Sequence, residues 1–218
     1  MKHIKYIMIV FLLLLCTGCV KLDEEMKINK NKSMIYTIDL ASDNKDVINN
    51  YFNKEDLNNL KKFYSIKEYN KDNYKGIKLT WNVKNIDDIS STSDVVFSIN
   101  TIKDAIPTNV FKVNKGWFHN SYSANFIFNV DDLVDENISD EDNSLTFKVL
   151  LDKEALSNNA DKVKNNTLIW NLDTNGTNEI NFSFSMYNYS HIIITILFVL
   201  FFLLVVILSF KKLLEKRF

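Results

Sequence analysis

The sequence predicts an α+β fold: a mainly antiparallel sheet with an early helical region packed on it, followed by one membrane-spanning helix. Three observations carry that prediction. Apolar and polar residues alternate with strand period between polar turns over most of residues 20–186. One apolar stripe at helical spacing, from Val47 to Phe63, interrupts the alternation. Residues 190–210 then form a run of twenty-one without a charge.

The chain opens with the three parts of an export signal. Lys2 and Lys5 are its positive region, residues 6–16 are an apolar run of eleven, and Thr17-Gly18-Cys19 is a small-residue cleavage site. A spanning helix needs about 20 apolar residues to cross a hydrocarbon core about 30 Å thick, so this run is too short to stay as a span. Leu15-Cys16-Thr17-Gly18-Cys19 fits a bacterial lipobox, although Cys16 stands where an aliphatic residue is usual. Sliding the box to make Cys16 the acceptor would put Leu14 and Leu15 where small residues are needed. Residues 1–18 are therefore expected to be a lipoprotein signal peptide, cut between Gly18 and Cys19, with Cys19 receiving the lipid.

Val20–Ile28 and residues 33–40 alternate on either side of a polar turn at 29–32, which predicts a β-hairpin starting at the lipid anchor. Val20, Leu22, Met26 and Ile28 point one way, and Lys21, Asp23, Glu25 and Lys27 the other. Ser42 or Asp43 can cap the helical region that follows. That region carries Val47, Ile48, Tyr51, Phe52, Leu57, Leu60 and Phe63, and residues 53–56 can divide it into two short helices. Strands are expected at 63–69 and Tyr74–Val83, the second with Ile77, Leu79, Trp81 and Val83 on one face. Ile86 and Ile89 suit a helical turn, 95–99 a short strand, and Pro107 ends that section. Beyond it, 110–113 and 117–130 flank an Asn114-Lys115-Gly116 turn, and strands follow at 144–151, 168–172 and 179–186. The last two flank Asp173-Thr174-Asn175-Gly176, a tight-turn signal.

At about 1.5 Å per residue, residues 190–210 span roughly 30 Å, enough for one crossing. Lys211, Lys212, Lys216 and Arg217 follow at once. Flanking cations stay on the cytoplasmic side. The tail, 211–218, is therefore expected inside, and the domain, 19–189, on the extracytoplasmic face of the cell membrane. A single acyl chain binds a membrane only marginally, whereas a span is effectively permanent. The lipid is thus expected to pin the first strand, so that both ends of the domain meet the same bilayer.

Composition excludes several classes. Both cysteines lie in the signal region, so the exported domain has no disulfide framework and no thiolate metal site. Setting aside the two lysines of the leader, the four cations of the tail and Glu215 leaves that domain about six charges negative. A nucleic-acid partner would want a basic stripe, and there is none. No Gly-x-Ser-x-Gly elbow or His-Glu-x-x-His pair occurs. His119 with Ser121 is a commonplace alternation along a strand, and His191 sits at the outer membrane boundary. The acidic run Asp131, Asp132, Asp135, Glu136, Asp140, Glu141 and Asp142 lacks the glycine a calcium loop needs, so it reads as a solvated loop. No catalytic residue, metal ligand or cofactor is therefore expected. Phe97, Phe111, Trp117, Phe118, Tyr122, Phe126, Phe128, Phe147, Trp170, Phe182 and Phe184 lie on expected strands. They would make either a filled core or the wall of an apolar cavity.

Gly18-Cys19-Val20-Lys21-Leu22 leading into an acidic hairpin strand, and Leu168-Ile169-Trp170-Asn171-Leu172 followed by Gly176, Asn178 and Ile180, resemble the LppM-type lipoprotein domain. The single span with a short basic tail completes that likeness. The resemblance implies an α+β domain similar to Bet v 1-like hydrophobic-ligand binders, in contact with envelope lipids or glycolipids. It carries no catalytic signature and no ligand residues, and Trp170 and Gly176 look like structural hairpin residues. The function expected is a non-enzymatic, membrane-anchored binding domain for a lipid-like or other hydrophobic ligand. The alternative is a protein-interaction or structural module of the envelope with a solid core, its protein partner unknown.

Overall fold

A computed structural model describes residues 20–43, 52, 54–71, 73–93, 97–99, 109–129, 144–173 and 176–215. The first hairpin forms as the alternation predicts. Strands β1 (Val20–Ile28) and β2 (Met34–Ser42) pair antiparallel from Val20↔Ser42 to Ile28↔Met34. Their turn closes through Lys32, which takes a positive φ of 67° and donates its backbone N–H to the Asn29 carbonyl at 2.9 Å.

Among the described residues, the expected helical region contributes one short helix. Helix α1 covers Lys54–Leu60, with Phe52 and Leu60 buried in the core. Phe63 lies past the helix and is 46% exposed, so it is not part of the buried stripe; Tyr64, one residue on, is buried instead. Val47, Ile48 and Tyr51 lie outside the described residues.

The chain then continues through β3 (Ser65–Lys71), β4 (Tyr74–Val83), a 3₁₀ turn at Ile86–Ile89, β5 (Ser90–Ser91), β6 (Phe97–Ile99), β7 (Phe111–Lys115) and β8 (His119–Asn129). After these come β9 (Ser144–Leu150), β10 (Ser157–Asn158), β11 (Lys162–Lys164), β12 (Thr167–Asn171), β13 (Thr177–Tyr187) and the long helix α2 (Tyr189–Glu215). The strands build two sheets rather than one. The first has the order β11-β12-β9-β1-β2-β4-β3, and the second β10-β13-β8-β7-β5, with β6 also pairing with β8. Most pairs are antiparallel, as expected, but β1–β9, β5–β7 and β6–β8 are parallel.

Two turns differ from the sequence expectation. Asn114 and Lys115 stay in β7, so the β7–β8 turn is at 116–118. The 173–176 segment does not close a hairpin, because β12 belongs to the first sheet and β13 to the second. Trp170 and Gly176 are therefore not hairpin partners. Leu172 still donates its N–H to the Leu145 carbonyl at 2.9 Å, after which the chain crosses to the other layer.

The core lies between the layers. Phe147 of β9 meets Phe126 and Phe128 of β8 with ring centroids 5.9 and 5.2 Å apart, and Trp170 of β12 meets Phe182 of β13 at 6.1 Å. On the outer face of the first sheet, Tyr69 lies across Gly76, its cross-strand partner, and donates its hydroxyl to Asp39 at 2.5 Å. A Cβ at position 76 would overlap that ring, so a larger residue there would displace Tyr69 from its place over the strand.

Candidate functional site

Cys19 and Gly18 lie outside the described residues, as does the acidic run at 131–142. His119 is exposed on β8, its ring 4.6 Å from that of Tyr187 on the neighbouring strand. Ser121 pairs with Ser185. No group of three or more His, Cys, Asp or Glu that could hold a metal occurs among the described residues.

Three polar constellations do assemble. The first is inside the sandwich. Glu24 follows the inward register of β1 and is 1% exposed, with Ile38 and Phe147 as its register partners on either side. The Tyr36 hydroxyl donates to its carboxylate. Burial pushes the Glu24 carboxyl from 4.5 up to about 7; the Tyr36 hydrogen bond works against this and Asp23 adds to it. Burial and the facing Glu24 raise the Tyr36 phenol well above its ordinary value, and they raise Tyr64 likewise.

The second constellation clasps the two sheets. Asp87, in the 3₁₀ turn, accepts from Lys32 at 2.8 Å and from the Tyr122 hydroxyl at 2.6 Å. Burial alone would raise the Asp87 carboxyl, but those two donors outweigh it and hold it below its ordinary value. The Ile86 N–H donates to the Lys32 carbonyl at 2.8 Å, tying the β1–β2 turn to the same point.

The third constellation lies where the domain joins α2. The indole of Trp117 stacks on His191 at 4.8 Å and 19°, and its N–H donates to Thr195 Oγ1 at 3.0 Å. The backbone N–H of Asn188 donates to the Phe118 carbonyl at 2.8 Å. Lys153 sits 3.7 Å over the Tyr187 ring. A cavity of about 30 Å³, room for a water molecule, opens between Ile28, Lys30, Lys153, Tyr187 and Tyr189. A wider open groove of about 600 Å³ adjoins it, lined by Lys27, Lys30, Leu150, Asp152 and several asparagines.

α2 carries 24 residues, Tyr189–Lys212, apolar and long enough to cross a membrane, and none of that stretch is buried against the domain. It leaves the sandwich at the pole where β1 ends. Val20, which is bonded to Cys19, begins β1 at the opposite pole, beside Ser42 and Ser144. A nine-residue strand is roughly 27 Å long.

Sequence reasoning missed all three constellations. Glu24 was within reach, because period two places it on the same face as Leu22 and Met26. Asp87 was not, because its partners lie 55 and 35 residues away.

No protein-family model matches this chain, and no curated protein does. Among solved structures, the chain is similar to the folded domain of LppM from Mycobacterium tuberculosis, determined by NMR. The two share 11% identity over 79% of this chain and 92% of that one, with a TM-score of 0.49. This is a remote structural relationship.

Proposed function

We propose that this protein is a non-enzymatic lipoprotein of the cell envelope, a solid-core interaction module held by two anchors. In this reading Cys19 carries the lipid after cleavage at Gly18, and the domain is extracytoplasmic. Residues 190–210 cross the membrane and the basic tail is cytoplasmic. Membership of the LppM-type family belongs to the same proposal and rests on residues 18–22 and 168–180.

The observation that carries the solid-core reading is the filled space between the sheets. Phe111, Tyr122, Phe126, Phe128, Phe147, Trp170, Phe182 and Phe184 are each at most 4% exposed. Neighbouring rings are in direct contact across and along the layers. Side chains that close to one another leave no room for an acyl chain among them. A lipid-like ligand is the second reading, favoured by the open groove of about 600 Å³ at the membrane-side pole.

Native mass spectrometry of the full chain, purified from bacterial membranes, tests both. A solid-core lipoprotein gives a mass increased by one lipid group on Cys19 and no further adduct. A reproducible second mass, removed by organic extraction, would replace this reading with ligand binding. A chain without the lipid increment would sink the lipoprotein assignment.

The polar separation of the anchors has a mechanical consequence. If both enter one bilayer, the strands run along the membrane surface, with one foot at Val20 and the other at Tyr189. The exported chain has no cysteine other than Cys19, so a dye on Thr177→Cys reports the Val20 pole in a chain whose Cys19 is acylated. Energy transfer to a headgroup acceptor should be as strong from that site as from Ser190→Cys, and should drop when Cys19→Ser removes the lipid. A Thr177 signal that is weak in both forms would mean that the domain stands upright.

A further inference from the structure

We propose that the tip of the β7–β8 hairpin, Trp117 and Phe118, is a lipid-contacting foot that enters the headgroup–acyl boundary of the bilayer crossed by α2. The proposal deepens the reading of α2 as a span and does not depend on the lipid at Cys19.

Turn tips usually carry Gly, Asn, Asp or Ser. Here two large apolar side chains stand side by side at a tip, Trp117 59% and Phe118 47% exposed. The tip is nevertheless built to one shape. A Cβ at Gly116 would overlap the His119 carbonyl, so the turn is tight. The amide of Asn188 also donates to the Gly116 carbonyl, at 3.4 Å. Trp117 and Phe118 then bind Asn188, just before α2, and His191 and Thr195, which are four residues apart and therefore share one face of α2.

That docking sets a depth. Thr195 lies six residues past Tyr189, or about 9 Å along the helix axis. The stretch of 24 residues is roughly 36 Å long, so about 3 Å, or half a turn, at each end extends beyond a hydrocarbon core of about 30 Å. Thr195 is thus about 6 Å inside the outer edge of the hydrocarbon and His191 about level with that edge, so the indole that touches both is held in the boundary layer, where tryptophan and tyrosine are enriched. In water an indole N–H finds a partner anywhere, but in that apolar layer an unpaired one is costly. Thr195 supplies the partner internally. Tyr189 is exposed at the same boundary, and Lys153 and Lys30 line the small cavity beside it, where they can meet lipid phosphates.

The lipid bilayer is the occupant these observations favour, because the tip is continuous with the span and fixed to it. The test uses the full chain in phosphatidylcholine/phosphatidylglycerol vesicles, with bromine placed on the upper acyl chain as a quencher of tryptophan emission. The chain has three tryptophans, so about one third of the emission should be quenched by bromolipid and shielded from aqueous acrylamide. Trp117→Phe should remove that fraction and leave the emission of Trp81 and Trp170 insensitive to bromine. Emission equally sensitive to bromolipid in wild type and Trp117→Phe would overturn the proposal. So would an indole reached by acrylamide and not by bromine, which would point to a tip in water or against a second protein. Release of the chain by alkaline extraction would instead overturn the span, and the foot with it.

Discussion

The stability of the wild-type protein should fall by about 3 kcal/mol as pH rises from 4.5 through 7, and Glu24→Gln should abolish that fall. The Glu24 carboxyl titrates at about 7 in the folded protein against 4.5 as its ordinary value. Below pH 4.5 both folded and unfolded chains hold the proton, and the full stability is present. Between 4.5 and 7 the folded protein keeps a proton that the unfolded chain has released, so stability is lost as pH rises. Above 7 the loss is complete, because a charged carboxylate then sits between Ile38 and Phe147 with Tyr36 as its donor. A displacement of that size corresponds to about 3 kcal/mol. Glutamine keeps the shape and cannot ionise. Other carboxylates titrate in the same range, so the readout is the difference between wild type and Glu24→Gln in urea midpoints at pH 4.5, 6 and 8. Parallel curves for the two proteins would show that Glu24 is already charged in the fold.

Phe182→Ala should cost about 3–5 kcal/mol, enough to unfold a marginal domain. Its ring touches Phe111, Phe126, Trp170 and Phe184 at centroid distances of 6.1–6.3 Å. It is also a point where the second sheet meets the first. Removing it leaves a void that rigid neighbouring rings cannot close, so the cavity adds to the lost transfer energy. Phe182→Leu, which keeps most of the volume, should cost markedly less. Chemical denaturation of both variants checks the order. Near-equal losses would mean that the layers relax around the gap and the core is looser than its ring contacts imply.

Much of this architecture was legible in the sequence, and the limits fall at identifiable residues. Alternation located β1, β2, β4, β8, β9, β12 and β13 to within a few residues, and the composition of 190–210 located α2. Alternation also contained Glu24, whose inward placement follows from its neighbours on β1. The short strands β10 and β11 had no such signal. Ser157–Asn158 and Lys162–Lys164 are held by pairing at the sheet edges and not by buried side chains of their own.

Sheet membership was illegible. The 173–176 turn signal was present, yet β12 and β13 went to different layers. A turn signal reports a change of direction and says nothing about which strand accepts the next row of hydrogen bonds. The aromatic list divided in the same way. Phe126 and Phe147 became core, while Trp117 and Phe118 stayed outside at the β7–β8 turn, where Trp117 meets Thr195 of α2, 78 positions along the chain.

By itself the sequence determined the period of the longer strands, the apolar run at 190–210 and the lack of any cysteine after Cys19. These depend on the order of side chains along a few residues of backbone. The tertiary structure alone decided that the strands form two layers and that their rings meet between them. It also decided that Asp87 clasps the layers, and that Val20 and Tyr189 leave opposite poles. Each of those depends on pairing between segments far apart in the chain. Period two marks which side chains of a strand are buried, and many pairings bury the same side chains equally well.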